Sequence, residues 1–329
     1  LDFNLFAMVQ KNSVDVPTFK EVKSAYLKIR NKVHRTPVLS SKKVNERAGG
    51  ELFFKCENFQ KVGAFKFRGA THAVGELTNQ EAINGVATHS SGNHAQAVAL
   101  AAKLRGIPAH IVMPKNAPKV KVNAVKDYGA NITFSEPTQE GRKATLEEVI
   151  EETGATFIHP YDNPNIIIGQ GSAAIELLEE KPNLDIIMAP VGGGGLISGT
   201  AIVASGLAPN TKVIGTEPEV ANDAYLSFKS GTLHPVQSTD TVADGLRTSL
   251  SELTFACIQK HVDEIVTVSE KEIIEAMRFI WERMKIIIEP SCAVPVAAVF
   301  NKKVDLQGQQ AGIIITGGNI DLDQLPWQV

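Results

Sequence analysis

Along this chain, short runs dense in β-branched and other apolar residues alternate with longer stretches whose apolar residues recur every three to four positions. The short runs are ELFFKCE at 51–57, GVATHS at 85–90, AHIVMP at 109–114, NITFSE from 131, TFIHPY from 156, DIIMAPV from 185, KVIGTEP from 212, EIVTVS from 264 and GIIIT from 312. Between them lie helix-like stretches such as NHAQAVALAAKLRG at 93–106, GRKATLEEVIEETG from 141 and SEKEIIEAMRFIWERMK from 269. Several short runs are apolar throughout rather than at every second position, which marks strands covered on both faces. Strands alternating with helices, with both faces covered, predict an α/β fold with mainly parallel sheets. Gly106 stands where a glycine would cap the preceding helix.

A chain of 329 residues suits one large domain or two closely joined ones. No repeat, low-complexity tract or flexible linker marks a boundary, so any boundary is compact. A net charge of −3 without a basic tract argues against nucleic acid as a partner. No apolar run approaches the roughly 18 to 20 residues needed to cross a bilayer. The first twenty residues lack the charged-then-apolar layout of a signal peptide, so secretion is not expected. Cys56, Cys257 and Cys292 are far apart and fit neither a disulfide framework nor a zinc site; reduced thiols in a cytoplasmic protein are expected.

Four glycine-bearing turns carry the chemistry. VGGGGLISG at 191–199 follows the buried run DIIMAPV and leads into a helix-like stretch. Successive glycines let the backbone approach an anion, and the helix N-terminus behind them offers free N–H groups, which suits a phosphate. No Gly-Lys-Ser/Thr follows, and Ser198 stands where a dinucleotide fingerprint needs its third glycine, so neither of those motifs applies. HSSGNHAQA at 89–97 also joins a strand to a helix. Ser90, Ser91 and Asn93 there could cap the helix, or hold a carboxylate and offer a hydroxyl for proton transfer. FQKVGAFKFRGA at 59–70 sets Lys66 between Phe65 and Phe67. Apolar neighbours ease the loss of its charge, and a neutral amine can form an imine; a lysine stem packed with its head in water is the plain alternative. IIITGGN at 313–319 repeats the strand-then-glycine layout. Ligands of parallel sheets sit beyond the carboxyl ends of strands, so these turns could surround one site for a phosphate-bearing ligand.

The motifs KVHRTPV, GAFKFRGA, HSSGNHAQA, HPYDNPNIIIGQG, VGGGGLISG, ADGLR, EPS and TGGN occur in that order over nearly the whole chain. In this the sequence resembles the fold-type II pyridoxal-phosphate (PLP) enzymes of the serine racemase, threonine dehydratase and threo-3-hydroxyaspartate dehydratase group, and serine racemase most of all. The resemblance implies a tryptophan-synthase-β-like fold of two open, twisted, mainly parallel sheets with helices on both faces. It implies a large cofactor-binding domain from 1–84 and 163–329, and a smaller mobile domain inserted at 85–162. Lys66 matches the Schiff-base lysine, and the resemblance implies that Phe65 would lie against the pyridine ring and Asn93 would bond its 3-hydroxyl. Gly192, Gly193, Gly194, Gly195 and the Leu196 amide match the phosphate cup, and Thr316 faces the ring nitrogen. A hydroxyl there does not hold the ring protonated, which makes a weaker electron sink and favours loss of a β-hydroxyl.

Ser91 matches the serine opposite Lys66, and two bases on opposite faces of one carbon are what racemisation needs. Ser90, Ser91, Asn93, His94 and Arg142 match substrate contacts; a guanidinium at Arg142 suits a dicarboxylate or a tightly held α-carboxylate. Glu217, the Ala221 carbonyl and Asp223 match a site for Mg²⁺, or for Ca²⁺ or Mn²⁺. The implied activity is serine racemisation together with dehydration of serine and threo-3-hydroxyaspartate. The alternatives are hydroxyaspartate or catabolic threonine dehydration as the main reaction, and, remotely, a non-catalytic PLP-binding protein. A homodimer is implied. Ser41, Lys61, Gln96, Tyr128 and Asn319 match parts of an ATP site between subunits, but Val62 replaces a threonine there, which counts against ATP regulation. The C-terminal regulatory domain of biosynthetic threonine deaminases is not expected.

Overall fold

The apolar runs become strands that sort into two sheets in the computed structural model, which describes residues 14–90, 92–117 and 119–328. The strands are β1 (Val38–Leu39), β2 (Glu51–Cys56), β3 (Val86–His89), β4 (Ala109–Pro114) and β5 (Asn131–Ser135). They continue as β6 (Thr156–Phe157), β7 (Ile186–Pro190), β8 (Lys212–Pro218), β9 (Glu264–Val268) and β10 (Gln310–Ile315). The larger sheet has the order β1-β2-β10-β7-β8-β9, parallel throughout except for β1. The smaller has the order β5-β4-β3-β6 and is wholly parallel.

Strand alternation explains why the central runs read as apolar throughout. Ile313 and Ile315 of β10 face one core, with Met188, Ile280 and Val294, while Ile314 faces another, with Ile187, Val213 and Ile197. Every second residue feeds a different layer of helices, so neither face is left for polar side chains. The smaller sheet repeats this, with Ile111 and Met113 against the helix Asn93–Arg105 and Val112 against Leu146 and Val149 of the helix Gln139–Thr153.

Helix ends follow local chemistry. Gly106 ends its helix at φ 75, a left-handed conformation that a glycine adopts without a Cβ clash. Ser269 caps the helix Glu270–Met284 through a reciprocal bond with Glu272. Two expectations need correction. TFIHPY forms only a two-residue strand, because the Ile158 carbonyl is taken by Thr88 Oγ1 and the His94 ring instead of a ladder partner. The two-residue β1 was not foreseen, its length being too short for any periodicity to show.

Beneath the larger sheet four charges are wholly enclosed. Lys55 on β2 and Arg68 on the helix Lys66–Glu76 meet Glu57 and Glu176, all at most 1% exposed. Arg68 bonds Glu57 through Nε at 2.7 Å and Glu176 through Nη2 at 2.7 Å, while Lys55 Nζ reaches Glu176 at 2.7 Å. The cluster is neutral as a whole, which is what makes its burial tolerable. It joins β2, the helix that begins at Lys66 and the helix Pro164–Glu180.

Candidate active site

Three strand ends and one helix start converge. Past β10, the Thr316 carbonyl accepts the Phe65 amide at 2.9 Å, and Ala64 bridges to Gly317. Those bonds fix the residue before Lys66, which opens its helix. Lys66 Nζ lies 2.9 Å from the Pro160 carbonyl oxygen and 5.2 Å from the centre of the Phe65 ring. Burial pushes its ammonium down to about 8, with the charge of Glu289 opposing. The lysine head is therefore turned inward, not out to water, and an amine in that state is readily deprotonated.

Past β7, the glycine run leads into the helix Gly195–Leu207. Each glycine is closed in by a different element. A Cβ on Gly193 would sit 2.1 Å from the Tyr161 ring, and one on Gly192 would sit 2.9 Å from the Gly245 carbonyl. One on Gly194, which also has φ +83, would strike Leu250 and Thr254; one on Gly195 would strike the Gln170 amide. Both amide atoms of Gln170 are buried without a partner among the described residues. A backbone cradle at a helix N-terminus beside an unsatisfied amide is a fit for a phosphate group. Leu196, also expected here, is buried in the first turn of that helix.

Past β3, Gly92 is the cap residue of the helix Asn93–Arg105 and, having no side chain, caps it without one. Ser90 Oγ accepts the Gly92 amide at 3.2 Å. Asn93 points away from the helix end, its amide nitrogen 3.0 Å from both carboxylate oxygens of Glu289 and its Oδ1 accepting from Asn319 Nδ2 at 2.8 Å. His94 is buried and donates from Nε2 to the Ile158 carbonyl at 3.0 Å, which fixes its tautomer; burial pushes it down to about 3. Ser91 lies outside the described residues.

His89, Phe157, His159 and Tyr161 form a continuous aromatic wall beside these turns, with the His159 and Tyr161 rings 4.7 Å apart. His159 Nδ1 accepts the amides of Tyr161 and Asp162, leaving the proton on Nε2; burial pushes the ring down to about 4. Arg142 is half-buried in the first turn of its helix, its Nε donating to the Thr138 carbonyl at 3.3 Å. Burial and then the Arg142 charge lower the His89 ring. The guanidinium thus acts on the wall, whereas none of its hydrogen bonds among the described residues reaches Lys66, Asn93 or Thr316.

Sequence reasoning assigned no role to Glu289, Gln170 or Tyr161. EPS and HPYDNPNIIIGQG contain all three, but nothing in either motif shows that they fold back onto Asn93 and the glycines.

Comparison with known proteins decides the cofactor. The family description "pyridoxal-phosphate dependent enzyme" matches residues 29–317. The chain belongs to that family. The enzyme is 49% identical over 312 residues to the β-hydroxyaspartate dehydratase of Paracoccus denitrificans, covering 95% of this chain and 99% of that one. It is 48% identical over 314 residues to the serine racemase of Dictyostelium discoideum, covering 94% and 96% respectively. The structure of maize serine racemase superposes with a TM-score of 0.92 at 44% identity, covering 95% of this enzyme and 97% of that chain. The fold-type II architecture of two mostly parallel sheets, read from the motifs, holds.

A second cluster adjoins the glycine cradle through Leu250, whose side chain faces Gly194. Glu217 at the end of β8 and Asp223 are each 1% exposed. Glu217 accepts the amides of Ala224 and Tyr225, Asp223 Oδ2 accepts that of Leu250, and Asp223 Oδ1 has no partner among the described residues. Burial, and then the neighbouring Asp223, push the Glu217 carboxyl well up; burial pushes Asp223 up to about 6. Two enclosed carboxylates with an open oxygen beside the buried Ala221 fit a hard cation. Among the described residues no helix is long and apolar enough to cross a membrane, and the three cysteines are free and buried.

Proposed function

We propose that the enzyme racemises serine and eliminates water from serine and from L-threo-3-hydroxyaspartate, with Lys66 as the base on one face of the α-carbon. The observation that carries this is the inward Lys66 amine, held by the carbonyl of Pro160, whose neighbour Tyr161 closes on Gly193, while Thr316 holds the Phe65 amide beside it. Pyridoxal phosphate, when bound, supplies an imine linkage to the substrate amine and a ring that acidifies the α-carbon. Gly192, Gly193, Gly194, Gly195 and the Leu196 amide would hold its phosphate, Phe65 its ring face, Asn93 its 3-hydroxyl and Thr316 its ring nitrogen. One Asn93 amide hydrogen serves the Glu289 carboxylate, which leaves the other for the 3-hydroxyl.

Lys66 would remove the α-proton, its amine kept inside the cleft by the Pro160 carbonyl at 2.9 Å. A hydroxyl at Thr316 would give the ring nitrogen no strong base partner, and the cofactor would then favour loss of the β-hydroxyl, protonated as it leaves as water, over transamination. Ser91, from the family resemblance, returns a proton from the opposite face when racemisation occurs. Ser90 and His94 would line the substrate carboxylate. Residues 85–162 would form the domain that closes over the substrate and excludes water.

Hydroxyaspartate is favoured as a second principal substrate by the Arg142 charge acting on the wall at His89, and by the likeness to a β-hydroxyaspartate dehydratase. Glu217, Asp223 and the Ala221 carbonyl would bind Mg²⁺, with water completing the shell. A melting temperature and turnover untouched by chelation would remove the metal from this reading. We also propose a homodimer, for which light scattering is the test.

The deciding assay follows 2-oxo acid and enantiomer formation from L-serine, D-serine, L-threonine and L-threo-3-hydroxyaspartate. D-serine from L-serine, lost in Ser91→Ala, is the expected result. Oxaloacetate as the sole product would restrict the enzyme to dehydration, and threonine turnover alone would leave Arg142 and Ser91 without a part.

A further inference from the structure

One group touching Thr316 has no role in the reading above. Cys292, in the first turn of the helix Pro290–Phe300, is fully buried. Its Sγ lies 3.2 Å from Thr316 Oγ1, 3.0 Å from the Gly317 carbonyl oxygen and 3.2 Å from the Gly317 amide nitrogen. Burial, and then the Glu289 charge, push the thiol up to about 12, so the sulfur keeps its one proton.

That proton has two possible acceptors, and the surroundings choose between them. The Gly317 carbonyl already accepts the Glu289 amide at 3.0 Å, so it is satisfied without the thiol. The Gly317 amide donates to sulfur, which occupies the sulfur as an acceptor. Sulfur is in any case a weak acceptor, whereas a ring nitrogen with a free lone pair is a good one. With the ring in place, the pairing that wastes least sends the hydroxyl proton to nitrogen and the thiol proton to the hydroxyl oxygen.

We propose that Cys292 is a positioning residue for the cofactor's ring nitrogen: its S–H donates to Thr316 Oγ1 and turns the Thr316 hydroxyl proton toward that nitrogen. The nitrogen is thereby held in its neutral form, which keeps the ring a weak electron sink and commits the enzyme to elimination over transamination. This rests on the reading that Thr316 faces the ring. The other charges around the dyad are Glu289, whose two oxygens are engaged by Asn93, the Lys121–Asp244 pair at 2.7 Å, and Lys66. None of them is hydrogen-bonded to Thr316 Oγ1 among the described residues.

The test reconstitutes the holoenzyme with PLP carrying ¹⁵N in the ring and follows the ¹⁵N shift against pH. The wild type should show a neutral pyridine. Cys292→Ala should raise the pH at which the ring takes a proton by about one unit, the worth of one hydrogen bond. Cys292→Ser keeps a donor in place and should restore the wild-type midpoint, which separates positioning from loss of packing. Thr316→Val serves as the control. If Thr316→Val raises the midpoint and Cys292→Ala leaves or lowers it, the thiol is filler and the proposal fails. If neither variant moves the midpoint, Thr316 does not face the ring, and that reading fails first.

Discussion

Gly193 and Glu289 show how much depends on single atoms here. A methyl on Gly193 would lie 2.1 Å from the Tyr161 ring, far inside contact distance, so Gly193→Ala must push Tyr161 aside or deform the cradle. Cofactor affinity in that variant should fall at least about tenfold, the worth of roughly 1.4 kcal/mol, measured by PLP titration of the cofactor-free protein. Unchanged affinity would mean that Tyr161 yields freely. Glu289 answers to pH instead. Burial, and then Asp244, push its carboxyl up to about 7 from 4.5, so the folded protein keeps a proton that the unfolded chain gives up across that range. Its contribution to stability is therefore present below pH 4.5 and lost as pH rises toward 7, by about 3 kcal/mol at full extent. Glu289→Gln, never charged, should flatten this slope in urea melts of the cofactor-free protein between about pH 4.5 and pH 7. A slope kept by the variant would assign it to another group. The turns that bring Lys66, the glycines and Asn93 together were legible because short motifs carry them. Glu289 and Gln170 were not, since their partners lie 196 residues away in the first case and meet only through folding in both.

Among the elements, the enclosed charges set the helix that begins at Lys66. Arg68 is two positions beyond Lys66 and forks to Glu57 and Glu176, so any shift of that helix would break charged bonds with no water to replace them. Glu176→Ala leaves Lys55 and Arg68 facing each other with one carboxylate between them. A loss of about 3–5 kcal/mol is expected, read as a drop in the urea midpoint. A loss below about 1 kcal/mol would mean that water enters and solvates the cluster. Elements with a period or a capping glycine were readable in advance, as the helix Glu270–Met284 and the end at Gly106 show, whereas the Ser269 cap was not read. The brevity of β6 was not, because the side chains of Thr88 and His94 take the carbonyl that would have extended it. Such competition is invisible to any pattern of apolar residues.

At the scale of the molecule, the parallel α/β class followed from buried runs alone, while the split into two sheets did not. No repeat or linker marks a boundary in the sequence, and β3 to β6 form a sheet of their own. Asn93 and Asn319 bridge the two sheets' territories, so closure would pull on the loop after β10 as well as on the helix at Asn93. Strand order has a bearing on how the chain is made. The smaller sheet comes from one continuous stretch and can assemble while later residues are still being translated. The larger sheet cannot: β10 pairs with β2 on one side and β7 on the other, so both neighbours must wait, edges open, for the strand synthesised last among them. A nascent chain is thus exposed to mispairing for most of its time on the ribosome. Ribosome-stalled chains should show protease resistance in residues 85–162 well before β2 and β7, and equal protection of both would argue that helices shield the open edges first.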